Sequence, residues 1–259
     1  GFGSDLGAEK FFDIVVRSGA VPPPSAVVIV ATLRSLKYHG GVKLDALLQE
    51  NIAAMDNGYA NLQAHVDIVR QYGLPVVVAL NRFPADSPAE IAAFTARAAA
   101  DRLPYALSDV FGAGGPGGLD LAAKVVEAAS SDAGEFRFLY PLEALIPEKL
   151  EAIARRIYGA DRVVLESPAR KKLKRFEDSG FSGLPVCVAK TQYSLSDNPK
   201  LLGRPNGFPL TVTDLSISAG AGFVVALCGD IMTMPGMPKS PAAERIDVSD
   251  DGVVSGILG

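Results

Sequence analysis

Two runs constrain this chain more than anything else in it: Ala26-Val-Val-Ile-Val-Ala-Thr and Pro75-Val-Val-Val-Ala-Leu. Each is short, continuously apolar and dominated by β-branched residues. A strand with one wet face alternates apolar and polar residues, so unbroken runs of this length predict strands covered on both faces. Pro104-Tyr-Ala-Leu is a third, shorter run. Helical patterns separate them. Ala8 to Arg17 places Phe11, Phe12, Val15 and Val16 on one side, with Gly19 as a stop. Leu44 to Tyr72 recurs at helical spacing with a break at Asn57-Gly58, which predicts two helices. Ser87-Pro-Ala-Glu90 has the residues of a helix start: a hydroxyl cap, proline at the first helical position and an acid in the first turn. Alternation of this kind predicts an α/β fold built on a parallel layered sheet.

The pattern continues past Gly112-Ala-Gly-Gly-Pro-Gly-Gly118 into a helix over Leu119–Ala129. Ser130 to Gly134 reads as a linker. It divides the chain into a first α/β unit, 1–132, and a smaller α/β unit, 133–259. The second unit is expected to hold a strand near Phe136–Tyr140, a helix over Leu142–Tyr158 and a strand at Arg162–Leu165. A basic helix at Pro168–Asp178 and a strand at Leu184–Ala189 follow. Ser194–Pro209 reads as loop. Strands at Thr211–Ser218 and Gly222–Leu227 are expected to end the regular structure before an irregular Pro-rich tail.

The chain has 259 residues, 48% of them hydrophobic, which suffices for one large domain or two modest ones. A net charge of −4 argues against a nucleic-acid backbone or an anionic membrane as principal partner. The longest apolar run, Ala26 to Ala31, is far too short to span a bilayer, and no signal peptide is visible. Cys187 and Cys228 sit in apolar runs without CxxC spacing. Two histidines are too few for a structural zinc site. Both cysteines read as small core residues in a reducing, cytoplasmic setting. The basic stretch Arg170, Lys171, Lys172, Lys174 and Arg175 reads as a solvated helix face. Gly1-Phe2-Gly3-Ser4-Asp5-Leu6-Gly7 opens directly into a helix, as if a strand should precede it, so the segment is expected to begin within a domain.

Ligands of α/β sheets sit outside the carboxyl ends of the strands. Three loops qualify: Thr32–Gly41, Asn81–Ser87 and Ser108–Gly118. Phe83 and Phe111 stand just past their strands. They are either plugs of the core beneath their loops or a pair of rings that clamp a flat heterocycle, each adding roughly 1 kcal/mol beyond area burial. The Gly112–Gly118 loop does not match GxxxxGK[ST] and reads as flexibility or close backbone approach. His39 reads as a loop histidine bonded to backbone, with a catalytic base as the alternative. Arg34 and Lys37 follow a buried strand and are equally anion contacts or members of structural ion pairs.

Val30-Ala-Thr-Leu-Arg-Ser-Leu-Lys-Tyr-His-Gly-Gly41 resembles a signature of formate–tetrahydrofolate ligases, V-A-T-[IV]-R-A-L-K-x-[HN]-G-G, and departs from it at Leu33 and Ser35. The opening Gly1–Phe11 is similar to the same family. So are Ala189-Lys-Thr-Gln-Tyr-Ser-Leu-Ser196, Leu202-Gly-Arg-Pro205 and Ile231-Met-Thr-Met-Pro-Gly236. These stretches cover the whole length of the chain.

The resemblance implies an ATP-dependent ligase that joins formate to N10 of tetrahydrofolate through formyl phosphate. ATP with Mg2+ and tetrahydrofolate would be substrates, a monovalent cation is left open, and no redox cofactor is implied. The pterin ring would lie between Phe83 and Phe111, with Pro84, Leu107 and Phe2 around it. The second position is often tryptophan in the family, and this chain has no Trp. Arg34, Lys37, Arg204 and Pro205 would be anion or nucleotide-side contacts. The family's GxxxxGK[ST] loop belongs to an N-terminal half, and this chain contains no Gly-Lys dipeptide. The chain is therefore expected to be a C-terminal part that supplies the pterin wall, with no assigned catalytic residue or metal ligand and little turnover alone. Its expected partners are the N-terminal half of the same enzyme and further copies of itself in a homo-oligomer. The alternative is a non-catalytic pteridine- or nucleotide-binding module, or an assembly piece.

Overall fold

The computed structural model of the chain describes residues 3–131, 134–231 and 240–256. Helix α1 (Ser4–Lys10) continues through a π-helical stretch, Phe11–Val16, and stops at Gly19 with φ +78°. Then come β1 (Val27–Ala31), α2 (Leu33–His39), α3 (Ile52–Gln71), β2 (Val76–Asn81), α4 (Pro88–Ala100) and β3 (Tyr105–Ser108). A short helix α5 (Val110–Ala113) and a 3-10 turn (Gly115–Gly118) lead into α6 (Leu119–Ala129). Strands β1, β2 and β3 form a parallel sheet in that order, with Val28 opposite Val77 and Leu80 opposite Leu107.

The second half holds α7 (Ile146–Ile153), β4 (Arg162–Leu165), α8 (Ser167–Asp178), β5 (Val186–Ala189), β6 (Pro209–Ser218) and β7 (Phe223–Cys228). Its sheet runs β4-β6-β7-β5 and is mixed: β4 pairs β6 and β5 pairs β7 in parallel, while β6 and β7 are antiparallel. Regular structure does not end at β7, since β8 (Asp247–Val248) and β9 (Val254–Ser255) form a small antiparallel hairpin. Part of the Pro-rich tail, including Met232–Pro238, lies outside the described residues.

Local chemistry accounts for several helix starts. Ser87 and Glu90 cap α4 reciprocally, with proline in the first turn. Thr32 and Ser35 do the same for α2, and the Asn51 side chain accepts from Ala54 N–H at the start of α3. Helix α7 begins later than the sequence suggests, with Pro147 in its first turn, and runs into a π-helical stretch, Ala154–Tyr158.

Three further sequence expectations need correction. Strand β1 is covered on one face only: Val28 is 39% and Val30 is 66% exposed. Helix α6 lies over β2 and β3, and β1 is an edge strand beyond it. Strand β2, in the middle, is buried through Leu80 as expected.

The break at Asn57-Gly58 is absent, because α3 runs unbroken through it. Gly58 serves packing instead: a Cβ there would stand 1.8 Å from the Leu36 carbonyl oxygen, so only glycine lets α2 and α3 approach this closely. Gly58→Ala is expected to cost about 1–3 kcal/mol by overpacking, read as a lowered urea midpoint.

The segment Phe136–Tyr140 is not a strand. Arg137 N–H donates to the Tyr72 carbonyl at the end of α3, and its guanidinium to that of Gln71. The rings of Phe12, Tyr72, Phe136 and Phe138 pack into one another there.

Helix α1 and its π-helical extension tie α3 to the second sheet. Lys10 donates to the Val188 carbonyl in β5 at 2.7 Å, and Asp13 accepts from the Tyr72 hydroxyl at 2.8 Å. Arg17 pairs with Asp13 and donates to the Tyr140 carbonyl, its guanidinium 4.0 Å from the Phe138 ring centre. The basic residues of α8 face solvent around buried Ala169 and Leu173, and Lys172 pairs with Asp214 of β6. Cys187 and Cys228 are buried free thiols, pushed up to about 11 and about 12 by burial.

Candidate functional site

The segments that follow β1, β2 and β3 meet at the carboxyl edge of the parallel sheet, and the first, expected as a loop over Thr32–Gly41, is helix α2. Arg82, directly after β2, donates its backbone N–H to the Ser108 carbonyl at 2.9 Å, and its guanidinium pairs with Asp109 at 3.1 Å. The second and third loops are thus joined at their bases. Both side chains are partly exposed, so the pair positions the loops and contributes at most about 1 kcal/mol to stability. Phe83 is fixed next to it: its N–H donates to the Asp86 carboxylate at 2.9 Å, and its ring is half-buried. The Arg34 guanidinium, from the first turn of α2, lies 4.2 Å from the Phe83 ring centre. Pro84 is exposed beside Phe83, and Leu107 is half-buried against the core.

Phe111 sits on α5 and is 91% exposed, so it plugs no core. Its turn is held by glycine: a Cβ on Gly117 would stand 2.3 Å from the Asp109 carbonyl oxygen. The close approach foreseen for this loop is therefore to its own backbone. No Phe83–Phe111 ring pair occurs among the described residues. The two rings are surfaces on adjoining loops, one backed by a cation and one open.

The other expected contacts divide. Lys37 is 1% exposed; it pairs with Glu90 at 2.9 Å and donates to the Gln49 carbonyl at 2.8 Å, which is the structural alternative. His39 is held by backbone, as the sequence reading favoured: Nδ1 accepts from Gly203 N–H at 3.1 Å, which leaves the ring proton on Nε2. Burial, helped by His65, pushes His39 down to about 4, so it is neutral near pH 7. Arg204 pairs with Asp67 at 2.8 Å and lines a cavity of about 240 Å³ with Tyr59, Arg70, Asp101 and Leu103. Asp101 and Leu103 lie between the end of α4 and the start of β3, at the opposite edge of the sheet from Phe83 and Phe111. Pro205 is half-buried, its carbonyl 3.4 Å from where a Cβ on Gly159 would stand. Phe2 lies outside the described residues.

A cavity of about 800 Å³ lies away from the two rings. It lies along Ala26–Ala31 between the start of α1, His39, His65 and the turn at Gln192–Leu195. Much of its wall is β1, so it reads as space beside the outer edge of that strand rather than as a reaction site.

One polar knot at its margin escaped the sequence reading. Lys190 pairs with Asp5 at 2.9 Å and donates to the carbonyls of Thr191 and Ser194, while the Ser4 hydroxyl lies 2.7 Å from His65 Nδ1. Both stretches carry the family resemblance, yet nothing in their spacing showed that they touch across 185 residues. Among the described residues no group of three or more His, Cys, Asp or Glu could hold a metal ion. No helix of the described residues is long and apolar enough to cross a membrane.

The arrangement offers flat apolar surface flanked by the Arg34 and Arg82 guanidinium groups, the second paired with Asp109. A protein-family model described as formate--tetrahydrofolate ligase matches residues 1–258.

Proposed function

The chain belongs to the formate–tetrahydrofolate ligase family, and on that premise we propose that it supplies the pterin-binding wall of an enzyme that makes 10-formyltetrahydrofolate. ATP and tetrahydrofolate are substrates of this family. In the proposed reaction a formate oxygen attacks the γ-phosphorus of ATP, releasing ADP and leaving formyl phosphate. N10 of tetrahydrofolate then attacks the formyl carbon, phosphate leaves, and the amine loses its proton. Such chemistry depends on holding the acyl phosphate and the amine in contact, and orientation alone lowers a barrier of this kind by several kcal/mol. Phe83 and Phe111 would fix the pterin, and Arg82 with Asp109 would fix the spacing of the two loops.

The observation that carries this reading is the 91% exposure of Phe111 on a loop tethered to that of Phe83. A ring left in water beside a half-buried one is costly unless a ligand covers it. Phosphate activation is assigned elsewhere, because no Gly-Lys dipeptide occurs here and nothing in the site replaces it. An N-terminal half carrying that loop is the proposed partner. The open edge of β1, with Val28 and Val30 exposed, is the surface that would receive a further strand. The exposed Leu119 and Val126 of α6 would serve contacts between copies. Units 1–132 and 133–259 are the proposed division, the first bearing the pterin wall.

Phe83→Ala and Phe111→Ala should each raise the Kd for tetrahydrofolate about fivefold, and together about thirtyfold, by calorimetry. An unchanged Kd in the double variant would remove the stacking assignment. Incubating the chain with formate, ATP and tetrahydrofolate should give no appreciable 10-formyl product; sustained turnover would show that phosphate activation resides in these residues after all.

A further inference from the structure

Arg34 differs from the other inward-lying cations, which have a carboxylate or, for fully buried Lys149, the Ser182 and Leu184 carbonyls as acceptors. Lys37 has Glu90, Lys190 has Asp5 and Arg17 has Asp13. Arg34 is half-buried, and among the described residues no carboxylate comes within ion-pair range of it. Its Nε–H is buried without an acceptor. A guanidinium partly out of water with an orphaned donor is costly, and a face of an aromatic ring is one of the few groups that compensate it. The partner it has is the Phe83 ring, 4.2 Å away.

We infer that Arg34 is a positioning and specificity residue for the pterin, acting through Phe83. The inference rests on the reading of Phe83 as one side of the pterin wall. Two consequences follow from the stacking. One face of Phe83 is taken, so a flat ligand can use only the other. The positive charge beneath the ring also offsets the negative potential of its open face. An electron-rich heterocycle is then repelled less, and an electron-poor one loses attraction. Tetrahydropterin, whose pyrimidinone carries amine donors, is electron-rich; the fully oxidised pterin, with an aromatic pyrazine, is electron-poor. Arg34 therefore favours the reduced ligand over the oxidised one.

The test measures Kd for tetrahydrofolate, kept anaerobic, and for fully oxidised folic acid. The proteins are the unmodified chain, Arg34→Met, Arg34→Lys, Phe83→Ala and the double variant Arg34→Met with Phe83→Ala. Arg34→Met should weaken tetrahydrofolate about three- to fivefold, the size of an exposed cation–π effect, and leave folic acid within about twofold. Arg34→Lys, which keeps charge without the planar stack, should recover part of the preference. In the double variant the loss should not exceed that of Phe83→Ala alone, because the cation acts through the ring. Equal weakening of both ligands by Arg34→Met, as general loosening of the loop would give, overturns the inference. So does additive loss in the double variant. If Phe83→Ala binds tetrahydrofolate normally, the pterin-wall reading falls and this inference with it. If Phe83→Ala weakens binding while Arg34→Met leaves the preference untouched, only the inference falls. Should Arg34→Met fail to fold, the comparison of both ligands on Arg34→Lys decides in the same way, with an unchanged preference overturning it.

Discussion

Lys37→Met should destabilise the fold by about 3–5 kcal/mol, because it strands a buried carboxylate. Lys37 and Glu90 are 1% and 0% exposed at their side chains and stand 2.9 Å apart. Burial opposes the charge on Glu90, yet hydrogen bonds from Asn51 N–H, Lys37 and Ser87 N–H outweigh it and hold the carboxyl below its usual range. One acid thus caps α4, anchors the start of α3 and neutralises α2. Removing the cation leaves the acid without its counter-charge and the Gln49 carbonyl without its donor. Urea unfolding measures the loss. Pairing Lys37→Met with Glu90→Gln, which keeps the cap, should restore more than half of it. A single-variant loss below about 1 kcal/mol would mean the pair behaves as a surface contact.

A second large effect should appear on the pH axis. Glu9 is fully buried, and burial raises its carboxyl to about 7 despite Lys10 at 3.2 Å; its Oε1 has no partner. The folded state therefore holds a proton that the unfolded chain releases near 4.5. The contribution is full below that value and is lost as pH rises through about 7, amounting to about 3 kcal/mol once the acid is ionised. Asp13 on the same helix is raised mainly by burial, and its effect has the same sign. Urea midpoints measured from pH 5 to pH 8.5 should fall across that window. Glu9→Gln should flatten the fall and leave the variant more stable than the parent at pH 8. A parent profile flat across the window would show that Glu9 is ionised in the fold.

What the sequence disclosed was local. The cap at Ser87–Glu90, the buried run of β2 and the helix after the glycine loop depend on residues a few positions apart, and all appear in the structure. Failures arose where a distant element decides. Whether β1 is wet on one face depends on how far α6 reaches. Gly58 looks like a helix break until α2 is placed against it. Phe136–Tyr140 has strand composition, but the end of α3 takes its hydrogen bonds. The same division holds at the site. The positions of Phe83 and Phe111 past β2 and β3 were readable, because each stands two or three residues beyond a strand end. The fates of Lys37 and Arg34, three residues apart on one helix, were not: one meets Glu90, 53 positions on, and the other meets a ring.

The bare rim of β1 also bears on handling. Its outward N–H and C=O groups present a template that any extended chain can copy, and Val28 and Val30 set a dry stripe beside it. Net charge of −4 on 259 residues gives little long-range repulsion to keep molecules apart. Left uncovered, that rim is where concentrated solutions of the polypeptide would begin to self-associate, and dilution or a covering strand would be the remedy rather than a change in the core.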